Sequence, residues 1–230
     1  MYRKRLDMIT EHVKGTVVAD IGTDHAYVPI KLIEKNICEK VIATDVNAGP
    51  LKSAESNVNK HNMEKYIELR LGSGLLPLSA GECDCIIIAG MGGELVCNIL
   101  SEGEYVARNA GLLILQPMNA QDMLRKFLNE NGYKIIDEDI TVEGFKVYNL
   151  ILAQYGGEYI NIDEFSLHLP GYLFEKDCFP ALLAKKKREF TKILKGLLSS
   201  SVEDDIKISK YQDFLRKIEY IEKTKISGEE

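Results

Sequence analysis

No run of roughly 18 apolar residues occurs in the 230-residue chain, so no segment has the length to cross a bilayer as a helix. The opening Met1-Tyr2-Arg3-Lys4-Arg5-Leu6-Asp7 also lacks the apolar stretch of a signal peptide. A cytoplasmic protein without a membrane partner is therefore expected. The five cysteines, Cys38, Cys83, Cys85, Cys97 and Cys178, form no Cys-x-x-Cys pair, which removes the common zinc and redox motifs. Buried free thiols and no metal site are the expectation, with Cys83 and Cys85 turned to the same side of the core. There is no internal repeat, no low-complexity tract, and nothing that announces an obligate protein partner.

What is present is ordinary in bulk: 45% hydrophobic and 28% charged residues, as in a soluble globular chain. The length suits one α/β domain with an appendage. A net charge of −6 looks unfavourable for a nucleic-acid partner until it is divided. Residues 160–230 hold 13 Lys+Arg and 13 Asp+Glu, so the whole −6 belongs to residues 1–159. Lys185, Lys186, Lys187 and Arg188 are consecutive, and Arg3, Lys4 and Arg5 open the chain. Such runs are either solvated helix faces or phosphate contacts, and distribution matters more than the total.

Taken in order, the chain reads as strands alternating with helices. A short amphipathic helix fills the first fourteen residues. Strands are expected at Val17–Ile21, Val41–Asp45, Tyr66–Leu71, Asp84–Ala89 and Gly111–Pro117, and helices at Tyr27–Asn36, Pro50–His61 and Gln121–Asn131. Lys134–Val142 and Lys146–Tyr155 form a hairpin turning at Glu143-Gly144. This pattern predicts an α/β fold with a mainly parallel, seven-stranded, Rossmann-like sheet and one antiparallel strand near an edge. Residues 1–157 would form this domain. Residues 158–230 would be an irregular linker and a helical hairpin, with Phe190, Ile193, Leu194, Leu197 and Leu198 on one helix face and Ile208, Tyr211, Leu215 and Ile218 on the other.

The chemistry should lie where parallel strands end. Val17–Ile21 runs into Asp20-Ile21-Gly22-Thr23-Asp24-His25-Ala26-Tyr27, an acid and a glycine at a tight turn before a helix. The second strand ends in Asp45, placed to accept hydrogen bonds from ribose hydroxyls or, alternatively, only to cap the next helix. Gly72-Ser73-Gly74 and Gly90-Met91-Gly92-Gly93 close two further strands, where missing Cβ atoms permit close backbone approach. A dinucleotide fold wants Gly-x-Gly-x-x-Gly, but this first loop offers Gly22 alone and adds Asp24, which would repel a pyrophosphate. A sulfonium cation with a free amino group suits those acids, which favours S-adenosylmethionine over NAD.

Asp20-Ile21-Gly22-Thr23-Asp24-His25-Ala26-Tyr27-Val28-Pro29, Ala89-Gly90-Met91-Gly92-Gly93, Gln116-Pro117-Met118 and Tyr148-Asn149-Leu150-Ile151-Leu152 together resemble the bacterial tRNA (adenine(22)-N1)-methyltransferases, the TrmK family. The resemblance runs from about Arg5 to Tyr155. It implies a class I methyltransferase domain, a C-terminal coiled-coil-like domain, S-adenosylmethionine as donor and tRNA as acceptor. Carried over by position, it implies cofactor contacts at Asp20, Gly22, Asp24, Asp45, Gly72, Ser73, Gly90, Met91 and Gly92. Ser73 stands where many members have aspartate.

Catalytic roles are expected for Asp24, His25 and Tyr27, with Tyr27 against the flipped adenine. The competing readings are that His25 only caps the helix and that Tyr27 is its first core residue. Arg5 and Lys185–Arg188 would hold the tRNA body through phosphate contacts. Adenine N1 offers an in-plane lone pair that is unprotonated at neutral pH, so alignment matters more than a strong base. The Asn/Asp-Pro-Pro-aromatic motif of exocyclic-amine methyltransferases is missing after the fourth strand. Two other classes fit the same fold, a small-molecule or protein methyltransferase and a non-catalytic tRNA-binding protein.

Overall fold

Alternate residues of Val17–Ile21 (β1) point to opposite faces, and each face meets its own apolar layer. The computed structural model describes residues 4–200 and 204–226. Arg3 lies outside them. The strands that follow are Lys40–Asp45 (β2), Ile67–Leu71 (β3), Cys85–Met91 (β4), Leu112–Pro117 (β5), Tyr133–Glu143 (β6) and Lys146–Tyr155 (β7). They form one seven-stranded sheet in the order β3-β2-β1-β4-β5-β7-β6. Strands β1 to β5 pair in parallel, and β7 runs antiparallel to both β5 and β6. The one antiparallel strand is thus next to the edge, as the hairpin reading requires.

Helices Arg5–Glu11 (α1), Tyr27–Glu34 (α2) and Ala48–Lys60 (α3) cover one face. Met8, Ile9, Leu32 and Val58 meet Val18, Cys85 and Ile87 there. Gly93–Glu102 (α4), Glu104–Arg108 (α5) and Gln121–Glu130 (α6) cover the other, where Val96, Leu100, Leu124 and Leu128 meet Ala19, Ile86 and Ile88. Helix α2 stops two residues before the expected Asn36 because Asn36 itself is left-handed, at φ 52°. Helices α4 and α5 have no counterpart in the sequence reading. Cys83 and Cys85 face opposite layers rather than the same one. All five cysteines are buried and free.

The crossovers from β1 and from β4 leave on opposite faces, so a crevice opens between the ends of these two strands. Past β7 the chain is less irregular than expected. Glu164–His168 (α7) and a single 3-10 turn at Gly171–Leu173 precede Phe179–Leu198 (α8) and Asp205–Ile221 (α9), which continues into a short π-helical stretch at Glu222–Ile226. Asp204 caps α9 by accepting the Lys207 amide N–H.

This region has its own core. Phe165, Leu182, Phe190, Phe214 and Ile218 pack around Ile140 of β6, with Val142 and Val147 beside them. The α8 stripe is narrower than expected: Ile193 and Leu198 are exposed. Arg125 on α6 fastens the region to the sheet. It is 2% exposed, grips Glu138 of β6 through both carboxylate oxygens at 2.8 and 2.7 Å, and donates to the Leu167 carbonyl at 2.6 Å. Tyr172 donates to the same carboxylate at 2.5 Å.

Candidate active site

Gly22 ends β1 at φ 73°, and its N–H and that of Thr23 both donate to the Thr44 carbonyl of β2, at 2.8 and 2.9 Å. The loop is thereby locked to the neighbouring strand before it turns outward. Asp24 and Ala26 are left-handed too, at φ 52° and 57°, a conformation that costs a non-glycine residue about 1–2 kcal/mol. Around these two turns Asp24 and Tyr27 are exposed and His25 is half-buried. The Asp24 carboxylate lies 3.6 Å from His25 Nε2, and the His25 and Tyr27 rings are 5.4 Å apart.

Ala26 occupies the N-cap of α2 without any side-chain cap, so His25 does not cap it. Its carbonyl instead accepts from Asn57 Nδ2 of α3 at 3.0 Å. Tyr27 is 58% exposed and is not a core residue.

Asp45 closes β2. One carboxylate oxygen accepts the Asn47 N–H at 2.9 Å and the other faces the Asp24 N–H at 3.4 Å, so it braces two loops and keeps further lone pairs for a ligand. Gly22, Asp45, Gly72, Ser73, Met91 and Leu95 border a cavity of about 450 Å³. That size suits a nucleoside-sized ligand. A Cβ at Gly22 would sit 2.1 Å from the Met91 methyl, and one at Gly72 would sit 2.4 Å from Pro77. Among the described residues no Lys or Arg lines this cavity, which offers a pyrophosphate no cation from them.

Asp20, Asp24, Gly90 and Gly92, expected as cofactor contacts, do not border that cavity. Gly90, at φ 80°, forms a bulge where the β4–β5 register shifts between Ala89 and Met91, and such bulges re-aim a strand end. A Cβ on Gly92 would stand 3.1 Å from Asn119 Oδ1, while Gly93 approaches the Asn119 and Ala120 carbonyls too closely for any Cβ. Asp20 is buried, and burial pushes its carboxyl up to about 6; Thr23 and Arg5 hold it from rising further, while Asp45 acts with burial.

Arg5 is where structure and sequence part most. Read from the sequence as a phosphate contact, it reaches into the strand-end crevice: Nη1 donates to Gln116 Oε1 at 2.9 Å, and the guanidinium lies 5.7 Å from the Tyr148 ring centroid. Nη1 is also 3.5 Å from where a Gly90 Cβ would be. Gln116, fully buried, was visible only as part of the Gln-Pro-Met motif, and no spacing could have joined it to Arg5.

The run on α8 is not one cationic face. Lys186 is 6% exposed and pairs with Glu189 at 3.0 Å, Lys185 lies 3.9 Å from the same carboxylate, and Lys187 pairs with Glu222 at 2.6 Å. Only Arg188 of the four is exposed. Burial also lowers the Lys185 ammonium pKa. Among the described residues no helix is long and apolar enough to cross a membrane.

Residues 2–151 match the sequence profile of a family described as methyltransferase domain. The chain is 38% identical over 165 residues to the tRNA (adenine(22)-N(1))-methyltransferase of Bacillus subtilis, covering 71% of this chain and 69% of that protein. A Streptococcus pneumoniae protein crystallised in complex with S-adenosyl-L-methionine superimposes with a TM-score of 0.82 at 31% identity, over 96% of this chain and 99% of that one. TrmK of M. capricolum, in complex with S-adenosyl-homocysteine, gives 0.78 at 25% identity, over 96% and 97%.

Proposed function

Because the chain belongs to the family of bacterial tRNA (adenine(22)-N1)-methyltransferases, we infer that its strand-end crevice passes the methyl group of S-adenosylmethionine to N1 of adenine 22 in a tRNA. The observation that carries the reading is a junction: the Asp24 N–H faces the carboxylate of Asp45, which borders an acid-bearing glycine cradle, and the Asp24-His25-Tyr27 cluster continues from that point.

The cofactor supplies a methyl group on a sulfonium, and the protein's work is to hold and to align. Asp45 has acceptor capacity for ribose hydroxyls, and Gly72 and Ser73 offer a backbone-lined seat for adenine. Asp20, Asp24 and the turn at Gly22 place negative charge and close backbone approach where the cationic end needs them. Gly90 and Met91 border the path to the acceptor. Tyr27 gives the flipped base a ring to stack on, Asp24 and His25 orient it, and a nearby carboxylate favours the positive charge that N1-methylation leaves on the ring. Positioning of this kind contributes roughly 7–11 kcal/mol to a bimolecular reaction.

Residues 158–230 form the unit we assign to the tRNA body. Within the basic run, exposed Arg188 contributes most to phosphate binding, the partly paired Lys185 and Lys187 less, and Lys186 acts by holding α8 in place.

Two tests follow from these roles. Asp24→Ala and Tyr27→Ala should each lower single-turnover methylation of an unmodified tRNA transcript at least about tenfold with unchanged melting, and the product nucleoside should be 1-methyladenosine. Near-normal rates in both variants would remove the Asp24-His25-Tyr27 cluster from the chemistry. N6-methyladenosine would overturn the choice of acceptor atom.

The second test concerns pH. The Asp20 carboxyl at about 6 lies above the roughly 3.9 of an exposed aspartate. Its contribution to folding is therefore fully present below about pH 4 and is lost as pH rises through about 6. Cofactor binding runs the other way, since a cation needs the carboxylate. The Kd for S-adenosylmethionine should be flat above about pH 7 and weaken several-fold by about pH 5, with the slope lost in Asp20→Asn. A flat wild-type titration would take Asp20 out of the charge balance.

A further inference from the structure

Phe145 is wholly exposed, more so than any other large apolar side chain among the described residues. It sits in a two-residue loop with Gly144, closed by the Glu143–Lys146 pair of β6 and β7. Gly144 takes φ 60°, as the first position of a type II′ turn requires, so the loop is a tight one. Directly below, Val142 and Val147 pack on the core of the helical region. The aromatic ring is thus held out into solvent on a braced support, and no core contact accounts for it.

Its place in the sheet gives the ring a use. β6 runs in the same direction as β1, β4 and β5, so its C-terminal end emerges on the edge that carries Gly22, Gly90 and Pro117. The Arg5 N–H donates to the Glu143 carboxylate at 3.4 Å, while the guanidinium of the same residue reaches Gln116 and the Gly90 bulge. One residue therefore ties the hairpin tip to the floor of the crevice. Exposed Lys146 flanks the ring with a cation.

An adenine stacked in a folded RNA must leave its neighbours to reach a pocket, and proteins that open base steps fill the gap with an apolar wedge. We propose that Phe145 is that wedge: it packs against the RNA base stack where the target adenine has left, with Lys146 on an adjacent phosphate. This rests on the tRNA methyltransferase reading and names a residue that positions the substrate without touching the reacting atoms.

The test uses the full chain and one tRNA transcript in two forms, unmodified and with 2-aminopurine at the target adenine, whose fluorescence rises on unstacking. Phe145→Ala should lower kcat/KM at least about tenfold and abolish the fluorescence rise at saturating protein, with S-adenosylmethionine affinity within twofold of wild type. Phe145→Trp should restore both, since a larger ring still fills the gap. If Phe145→Ala matches wild type in rate and fluorescence, the wedge is wrong while the methyltransferase reading stands. If wild type transfers no methyl to tRNA, that reading falls, and a fluorescence rise that still depends on Phe145 would uphold the wedge alone.

Discussion

Gly22→Val is expected to weaken S-adenosylmethionine binding at least about 100-fold, equivalent to about 2.7 kcal/mol. Two separate costs combine at this position. The residue sits at φ 73°, which a β-branched side chain rarely adopts, and its first added carbon would lie 2.1 Å from the Met91 methyl that borders the cavity. Met91 has a flexible side chain and can swing away, but only into the space the ligand needs. Relief of the second cost alone distinguishes them. Gly22→Ala with Met91→Ala should recover part of the affinity lost in Gly22→Ala, leaving the backbone strain. Titration calorimetry with S-adenosylmethionine reads the effect, and a Gly22→Val protein that is folded and binds within threefold of wild type would refute the cradle.

Arg125→Ala should cost about 3–5 kcal/mol of stability, since it leaves the fully buried Glu138 carboxylate without its counter-charge. The Leu167 carbonyl and the Tyr172 hydroxyl lose their shared anchor at the same time. These groups belong to α6, β6 and the segment leading into α8, so the loss should be felt in the attachment of the helical region. The effect is one of an orphaned charge, which gives a control. Arg125→Met combined with Glu138→Leu and Tyr172→Phe should recover most of the stability, because a buried pair replaced by apolar groups of similar size is often neutral. Urea unfolding measures both; an Arg125→Ala loss under about 1 kcal/mol would show that water reaches the carboxylate.

Most of the sheet was legible because its signals are local. β1 matches Val17–Ile21 residue for residue, since an apolar run followed by an acid and a glycine marks both a buried strand and its end. The hairpin and the antiparallel next-to-edge strand followed from two strand-like runs after five strand–helix units, although the turn lies at Gly144-Phe145 rather than at the expected Glu143-Gly144, since Glu143 still pairs with Lys146. The left-handed Asp24 and Ala26 were not legible, because nothing in a non-glycine residue announces that conformation. The link between Arg5 and Gln116 spans 111 positions and only the folded sheet creates it. Lys186 misled for a related reason. A lysine in a basic run reads as solvated, and only the folded surroundings of α8 together with Glu189 make it a buried, paired residue. Phe145, between the two expected strands, drew no role from the sequence, and only its exposure and the direction of β6 single it out.

The function proposed for the site is defined by its choice of acceptor atom and nucleotide. The most direct measurement incubates the protein with S-adenosylmethionine and an unmodified tRNA transcript carrying adenine 22, followed by reverse transcription, which halts at a base whose N1 is blocked. A new stop at adenine 22, absent when that adenine is replaced by guanine and absent in Tyr27→Ala at short times, is the predicted result. Methyl transfer that maps to another nucleotide, or persists unchanged without adenine 22, would contradict it.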